Sequence, residues 1–325
     1  MIIIVTGAAG FIGSHTVDRL LREGHTVVGL DNLRTGRLEN LPVAFQAPRF
    51  HLEQIDITEQ GKLDRVVEQV KPQAIIHLAA LVSVQESIAN PDLNRLLNLE
   101  ATKLVAESAA AHQVSRIVFA SSAAVYGDCP DLPLNESSDK HPSSPYGSAK
   151  LQSESLLFDC ARENNLAALC LRYFNVFGLR QDPASPYSGV ISIFRSRFLS
   201  RQPVTVYGDG GQTRDFIHVS DVARANVLAA TRPGLTSSVM NICNGRPISL
   251  NQLIEAFRVH HPEAPAAKYA SERPGDIRHS CGDPTLARRV LGFTATMGIE
   301  EGLLEFTAET VEARWRQVYP GSGIV

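Results

Sequence analysis

The first twenty-four residues restrict what this chain can fold into. Ile2 to Thr6 is an unbroken run of mostly β-branched residues, as expected of a strand buried on both faces of a parallel sheet. It runs straight into Gly7-Ala8-Ala9-Gly10-Phe11-Ile12-Gly13, and apolar residues then recur at helical spacing from Phe11 to Leu21 until Gly24 ends the pattern. Glycines at this junction let the backbone turn tightly, so the segment reads as strand, turn and helix.

The alternation continues. His25 to Leu30 reads as a second strand, and a third ends near Ile55. A helix is expected around Leu63–Val70, a strand over Ala74–Ala79, and one long helix from about Leu93 to His112. The strand Arg-Ile-Val-Phe-Ala-Ser, a helix from about Tyr146 to Asn164 and the strand Ala-Ala-Leu-Cys-Leu-Arg-Tyr-Phe follow. Strand and helix at this pitch define an α/β protein with a doubly wound parallel sheet. After Phe177 the pieces shorten, and the chain divides into two expected units. Residues 1–178, rejoined by about 215–243, form the sheet domain; 179–214 and 244–325 form a smaller mixed, mostly helical domain, with helices over Ser249–His260 and Ile299–Val318.

A length of 325 residues supports two such cores. The net charge of −3 gives no reason to expect a nucleic-acid or anionic-membrane partner. Five cysteines without paired spacing suit a reducing cytoplasm better than a disulfide framework or zinc cluster. No metal motif is present, since His77, His141, His218 and His279 have no ligand-spaced company. The apolar start lacks a basic leader and reads as a strand rather than a signal peptide, and no apolar run approaches the roughly 18 residues of a membrane span.

Gly7, Gly10 and Gly13 let the backbone approach a pyrophosphate, while the next helix offers free N–H groups and a positive dipole end. Asp31 closes the second strand 18 residues after Gly13, where a carboxylate accepts the ribose hydroxyls of an adenosine. The glycines alone also fit a turn with no ligand; strand before, helix after and acid at this distance favour a dinucleotide. Asp31 would repel a 2′-phosphate and so favours NAD over NADP, with Arg34 a mild signal the other way.

Tyr146-Gly-Ser-Ala-Lys150 places a phenol and an ammonium on one helical face. A free tyrosine titrates near ~10, and lowering that by about three units requires roughly 4 kcal/mol of preferential phenolate stabilisation, which a lysine and a cationic ring together supply. Ser121 and Ser122 fall at the carboxyl end of a strand, the sheet edge that binds ligands in such folds, although strand-end capping is the usual task of a serine there. Tyr146, Lys150, a serine and Asn98 resemble, in order and spacing, the tetrad of the short-chain dehydrogenases.

The Gly-x-x-Gly-x-x-Gly spacing is also usual in that family. The resemblance covers essentially the whole chain and is closest to the extended branch, the NAD-dependent epimerase/dehydratase family with its Rossmann fold. FASSAAVYGD, SPYGSAK, LRYFNVFG, DGGQTRDFIHVSDVA and RPGDIRHS resemble UDP-hexose 4-epimerases. That resemblance implies bound NAD on Gly7, Gly10, Phe11, Ile12, Gly13, Asp31, Asn32, Asp56, Ile57, Ala79, Asn98, Tyr146 and Lys150. It implies Ser122 on the sugar 4-hydroxyl, Tyr146 as proton carrier, and Lys150 on the nicotinamide ribose. For a UDP-sugar it implies Asn175 beside the diphosphate and sugar, Arg214 and Arg273 on the diphosphate, Asp276 on the uridine ribose and Tyr207 near the uracil. The reaction expected is epimerisation at carbon 4 through a 4-keto sugar, in a cytoplasmic homodimer joined by a four-helix interface.

Two departures from the galactose-type pattern bear on the substrate. Val82 and Ser83 stand where Lys-Ala is common, and Ser280 stands where a bulky tyrosine often excludes acetylated sugars. Both resemble the branch that accepts UDP-GlcNAc and UDP-GalNAc, alongside UDP-glucose and UDP-galactose; ordinary loop residues without influence on specificity are the alternative. A 4,6-dehydratase is disfavoured because Ser122-Ala123-Ala124 lacks the acid that drives elimination. A uronate epimerase tends to carry Thr at the position of Asn175. A non-catalytic NAD-binding protein often loses the tyrosine or lysine, and both are present here.

Overall fold

The computed structural model describes residues 1–182, 189–272 and 277–306. Its first half runs β1 (Ile2–Thr6), α1 (Phe11–Arg22), β2 (Thr26–Leu30), β3 (Phe50–Glu53), α2 (Gln60–Val70), β4 (Ala74–His77), α3 (Val84–Ala89), α4 (Pro91–Asn94), α5 (Ala101–Ala111), β5 (Arg116–Ser122), α6 (Pro145–Glu163) and β6 (Ala167–Tyr173). The second half has β7 (Asn175–Phe177), α7 (Val190–Leu199), β8 (Thr205–Tyr207), β9 (Thr213–Arg214), β10 (Phe216–His218), α8 (Val219–Thr231) and β11 (Ser238–Ile242). β12 (Ile248–Ser249), α9 (Leu250–His260), β13 (Lys268–Ala270), α10 (Thr285–Leu291) and α11 (Ile299–Leu304) complete it.

Seven strands form one parallel sheet in the order β11-β6-β5-β4-β1-β2-β3. Their apolar runs are buried on both faces because helices cover both. On one face, Val17, Leu20 and Leu21 of α1 pack with Val222, Ala225 and Ala229 of α8 against Ile3, Val5, Ile76 and Val118. On the other, Leu63 and Val67 of α2, Val105 and Ala109 of α5, and Leu157 of α6 cover Ile4, Ile75, Ile117 and Cys170. The chain crosses between faces where β1 and β4 lie side by side, and ligands bind outside the strand ends at such a switch point.

A separate apolar cluster gathers Phe177, Phe194, Phe198, Val206, Leu253, Ile254, Phe257 and Leu303, with the Phe198 and Phe257 rings stacked at 5.0 Å. The short pairs β10–β7, β12–β9 and β13–β8 border it. Ser249 caps α9 with a full capping box to Gln252, which explains the clean start of that helix.

The expected continuous helix over Leu93–His112 is corrected. Six residues, Arg95–Glu100, form a π-helical turn between α4 and α5, and this turn carries Asn98. An extra residue in a helical turn leaves the apolar pattern nearly intact, so periodicity did not reveal it. The C-terminal helix is described only over Ile299–Leu304, and its expected extension to Val318 lies outside the described residues.

Candidate active site

The glycine turn is built by contact. Gly7 has φ +68°, and a β-carbon there would lie 2.8 Å from the Ala79 nitrogen; one on Gly13 would lie 1.9 Å from the Gly7 carbonyl oxygen. Only glycine lets the first turn of α1 close against the loop, leaving a cradle of backbone N–H groups at a helix N-terminus, which fits a pyrophosphate. Phe11 and Ile12 open that helix, and Ala79 follows β4 alongside.

Asp31 is buried, and its two oxygens are held apart by backbone donors. The Ala9 amide donates to Oδ2 at 2.9 Å and the Leu33 amide to Oδ1 at 2.8 Å. Burial raises its carboxyl pKa and these two bonds oppose that rise. Asn32 Nδ2 donates to Asp56 Oδ2 at 2.8 Å, and the Thr58 backbone amide and hydroxyl hold the other Asp56 oxygen, with Ile57 buried between. The guanidinium of Arg34 is drawn off to Glu86 by an ion pair. Arg34, the cation read as favouring a 2′-phosphate, is thus engaged elsewhere.

Tyr146 lies in the first turn of α6, which Ser144 caps by accepting the Gly147 amide at 3.1 Å with Pro145 at the first helical position. The Ser122 hydroxyl hydrogen-bonds the phenol; that bond lowers the tyrosine pKa, but burial dominates and raises it. One helical turn on, Lys150 is buried with its Nζ 4.7 Å from the Phe119 ring centre and 5.8 Å from that of Tyr146. Burial pushes its ammonium down to about 7, opposed by the carboxylate of Glu154. Serine, tyrosine and lysine therefore converge as the sequence predicts.

Asn98 is fully committed. Its Oδ1 accepts the Leu81 amide at 3.1 Å, and its Nδ2 donates to the Leu81 carbonyl at 3.0 Å and to Asn94 Oδ1 at 2.7 Å. It clamps the loop after β4. Thr6 and Thr102 bracket His77, whose Nδ1 and Nε2 lie 2.8 and 3.1 Å from their hydroxyls. Thr102 donates to the Asn98 carbonyl at 2.6 Å, so the network assigns the His77 proton to Nε2 and the Thr6 hydroxyl as donor to Nδ1. The same Thr6 oxygen accepts the Leu78 and Ala79 amides, both at 3.1 Å.

Between β9 and β10, Asp215 joins the pieces, a role that sequence reasoning missed. It is buried; Oδ1 accepts the Asn244 amide at 2.9 Å, and Oδ2 accepts those of Gly245 and Gly282 at 2.9 and 3.1 Å. Its own carbonyl accepts the Asn175 amide at 3.1 Å. The Ser280 amide donates to the Thr213 carbonyl at 3.2 Å, next to Arg214, whose Nη1 donates to the same carbonyl at 2.9 Å. Tyr207 closes β8, with its carbonyl accepting the Gln212 side chain at 2.7 Å. Ser83 is the N-cap of α3, accepting the Glu86 amide at 2.9 Å, and is nearly inaccessible, whereas its neighbour Val82 is 71% exposed. The motif Ser83-Val84-Gln85-Glu86 carried that capping signal. Arg273 and Asp276 lie outside the described residues. Among the described residues no group of three or more His, Cys, Asp or Glu is placed to hold a metal, and no helix is long and apolar enough to cross a membrane.

A Rossmann cradle joined to a serine, tyrosine and lysine defines an extended short-chain dehydrogenase/reductase. The model of the NAD dependent epimerase/dehydratase family matches residues 3–243, and the chain belongs to that family. It is 38% identical over 312 residues to a UDP-glucose 4-epimerase of Mycolicibacterium smegmatis, spanning 95% of this chain and 97% of the relative. The structure of a UDP-glucose 4-epimerase with UDP-glucose from Thermotoga maritima superposes with TM-score 0.89 at 36% identity, covering 97% and 99% of the two chains. That of a UDP-N-acetylglucosamine 4-epimerase from Methanobrevibacter ruminantium, in complex with UDP-N-acetylmuramic acid, also gives 0.89, at 35% identity over 96% and 98%.

Proposed function

We propose that this chain is an NAD-dependent nucleotide-sugar 4-epimerase that interconverts UDP-GlcNAc with UDP-GalNAc, and UDP-glucose with UDP-galactose. The carrying observation is the small side chain at 280, hydrogen-bonded through its backbone to the strand that bears Arg214. An acetamido group adds bulk at sugar carbon 2, and a sugar that must present either face needs room for that bulk in two orientations. A relative named for UDP-N-acetylglucosamine at the same structural distance as one named for UDP-glucose supports the double range.

NAD, when bound, supplies reversible oxidation at the sugar carbon 4. The residues manage the proton and the pose. Tyr146 as phenolate takes the 4-hydroxyl proton and returns it, Ser122 shares that proton's hydrogen bond, and the Lys150 ammonium stabilises the phenolate. Arg214 and Arg273 clamp the diphosphate with charge-assisted bonds, Asp276 holds the uridine ribose, and Tyr207 borders the uracil. Asn175 borders the diphosphate and sugar, and Ser280 shapes the sugar pocket. The 71% exposure of Val82 against the capping task of Ser83 favours Val82 as the residue of that pair facing the cleft. Phe11, Ile12, Ala79, Asn32, Asp56 and Ile57 wall the cofactor, with Asn98 acting through Leu81. The reading further takes the protein to be a cytoplasmic homodimer packed through α5 and α6, with residues 179–214 and 244–325 as its substrate domain.

Incubating the purified protein with UDP-GlcNAc and with UDP-glucose, without added cofactor, and quantifying the epimers tests the reading. Both pairs should interconvert. A protein that converts only the plain pair overturns the acetylhexosamine part.

A further inference from the structure

Beneath Lys150 lies a buried charged cluster that the catalytic set does not use. Glu154, one turn along α6, is 3% exposed, and Arg172 on β6 is 2% exposed. The pair is bidentate: Nε donates to Oε1 at 2.9 Å and Nη2 to Oε2 at 2.7 Å. The Ser121 hydroxyl donates to Glu154 Oε1 at 2.5 Å. Arg172 Nη1 donates to the Tyr126 hydroxyl at 2.9 Å, and its guanidinium lies 4.9 Å from that ring's centre. The Tyr126 hydroxyl in turn donates to Asn241 Oδ1 at 2.6 Å, and Asn241 Nδ2 to the Leu134 carbonyl at 2.8 Å. Every polar atom of this chain is tied to β5, β6, β11 or the loop after β5, so the Glu154 carboxylate cannot swing.

We propose that Glu154 is a positioning residue for the reaction: a fixed negative charge, locked by Arg172 and Ser121, that keeps the Lys150 ammonium protonated where water does not reach. The inference rests on the catalytic assignment of Tyr146 and Lys150 made above. An isolated buried ammonium discards its proton, and desolvation alone drives this one down. The groups facing Lys150 are Tyr146 and Glu154 on its own helix, Cys170 on β6, His77 on β4 and the Phe119 ring on β5. His77 is kept neutral by burial, and burial keeps the Cys170 thiol protonated by pushing its pKa well up. Glu154 is therefore the one anionic carboxylate among them. Its tight pairing with Arg172 serves the same end, because a carboxylate free to close on Lys150 would take the ammonium away from the cleft.

The test is the alkaline edge of the turnover–pH profile, set by loss of the Lys150 proton. Removing one member of a buried ion pair strands the other, so the variant of choice is the double Glu154→Gln/Arg172→Met, which removes both charges. It should fold and bind NAD while the edge moves down by about one pH unit or more, with turnover at mildly acidic pH far less affected than at pH ~8. Arg172→Lys keeps both charges and should keep the edge. Should the double variant yield no folded protein, Glu154→Asp, with the carboxylate drawn back by one methylene, should move the edge part of the way. An edge that coincides with wild type in the folded charge-removed variant, or in Glu154→Asp, overturns the inference. Lys150→Ala separates the two readings: retained turnover there sinks the catalytic assignment and this inference with it. Lost turnover, with an unmoved edge in the Glu154 variants, sinks the inference alone.

Discussion

Asp31 and Ala9 are bonded across the cofactor turn, the Ala9 amide donating to Asp31 Oδ2 at 2.9 Å. The carboxylate proposed to read the adenosine ribose is thus tied to the glycine turn proposed to cradle the phosphates. A 2′-phosphate would face this anion, with Arg34 already paired to Glu86. The protein should purify with NAD rather than NADP, as read by mass spectrometry of the denatured supernatant. NADP as the main species would overturn the Asp31 argument. Asp31→Ala should loosen the turn as well as the ribose contact, and so weaken NAD retention more than loss of one ribose bond alone.

Tyr146→Phe removes the proposed proton carrier together with its hydrogen bond to Ser122, while the backbone amide bond to Ser87 Oγ at 3.2 Å remains. Turnover should fall by about a hundredfold to ten-thousandfold while nucleotide-sugar binding persists. Calorimetry beside a coupled epimer assay separates the two, and near-normal turnover would show that the proton travels by another group.

Ser280→Tyr should discriminate between substrates. The ring would collide with an acetamido group and leave a plain hydroxyl untouched, so activity on the acetylated pair should drop by about tenfold or more relative to the plain pair. Equal loss of both would mean that position 280 does not gate the pocket.

Acidification should destabilise the fold through His77. Burial holds its pKa at about 3, against 6.5 for the exposed group, so the unfolded chain takes up this proton first. The stability it contributes is complete above about 6.5 and is lost as the pH falls toward 3, by up to about 1.4 kcal/mol per pH unit. His77→Gln should start less stable at neutral pH, having lost the bridge between Thr6 and Thr102, yet show a shallower decline. Urea midpoints at neutral pH and near pH ~5 measure both slopes, and parallel declines would rule His77 out.

The sheet was legible because its strands are apolar on both faces, so Ile2–Thr6 and Ala74–Ala79 announce themselves without context. The glycine turn and the Tyr146–Lys150 pair were legible for a similar reason: each depends on spacing within one element. Glu154 and Arg172 belong to different elements and meet only when α6 lies on β6, so no local pattern marks them. Asp215 is hidden in the same way, since the amides it holds come from residues 244, 245 and 282. The strands beyond Phe177 other than β11, two or three residues each, are too short for alternation to register. Ser83 is the instructive case: its departure from the common Lys-Ala pattern pointed to the sugar, while the glutamate three residues on signalled a helix cap.

The π turn at Arg95–Glu100 works as a spacer one residue thick. Trimming a single residue there would close it to ordinary α-helix; α4 and α5 would stay in phase, because the wide turn is what absorbs the extra residue, but the side chains inside it, Asn98 among them, would be re-aimed. Asn98 would then swing off Leu81, releasing the loop that carries Val82 and Ser83, although no residue of that loop had been altered. The shape of that loop is in that sense encoded as a length, in a segment that lies outside it.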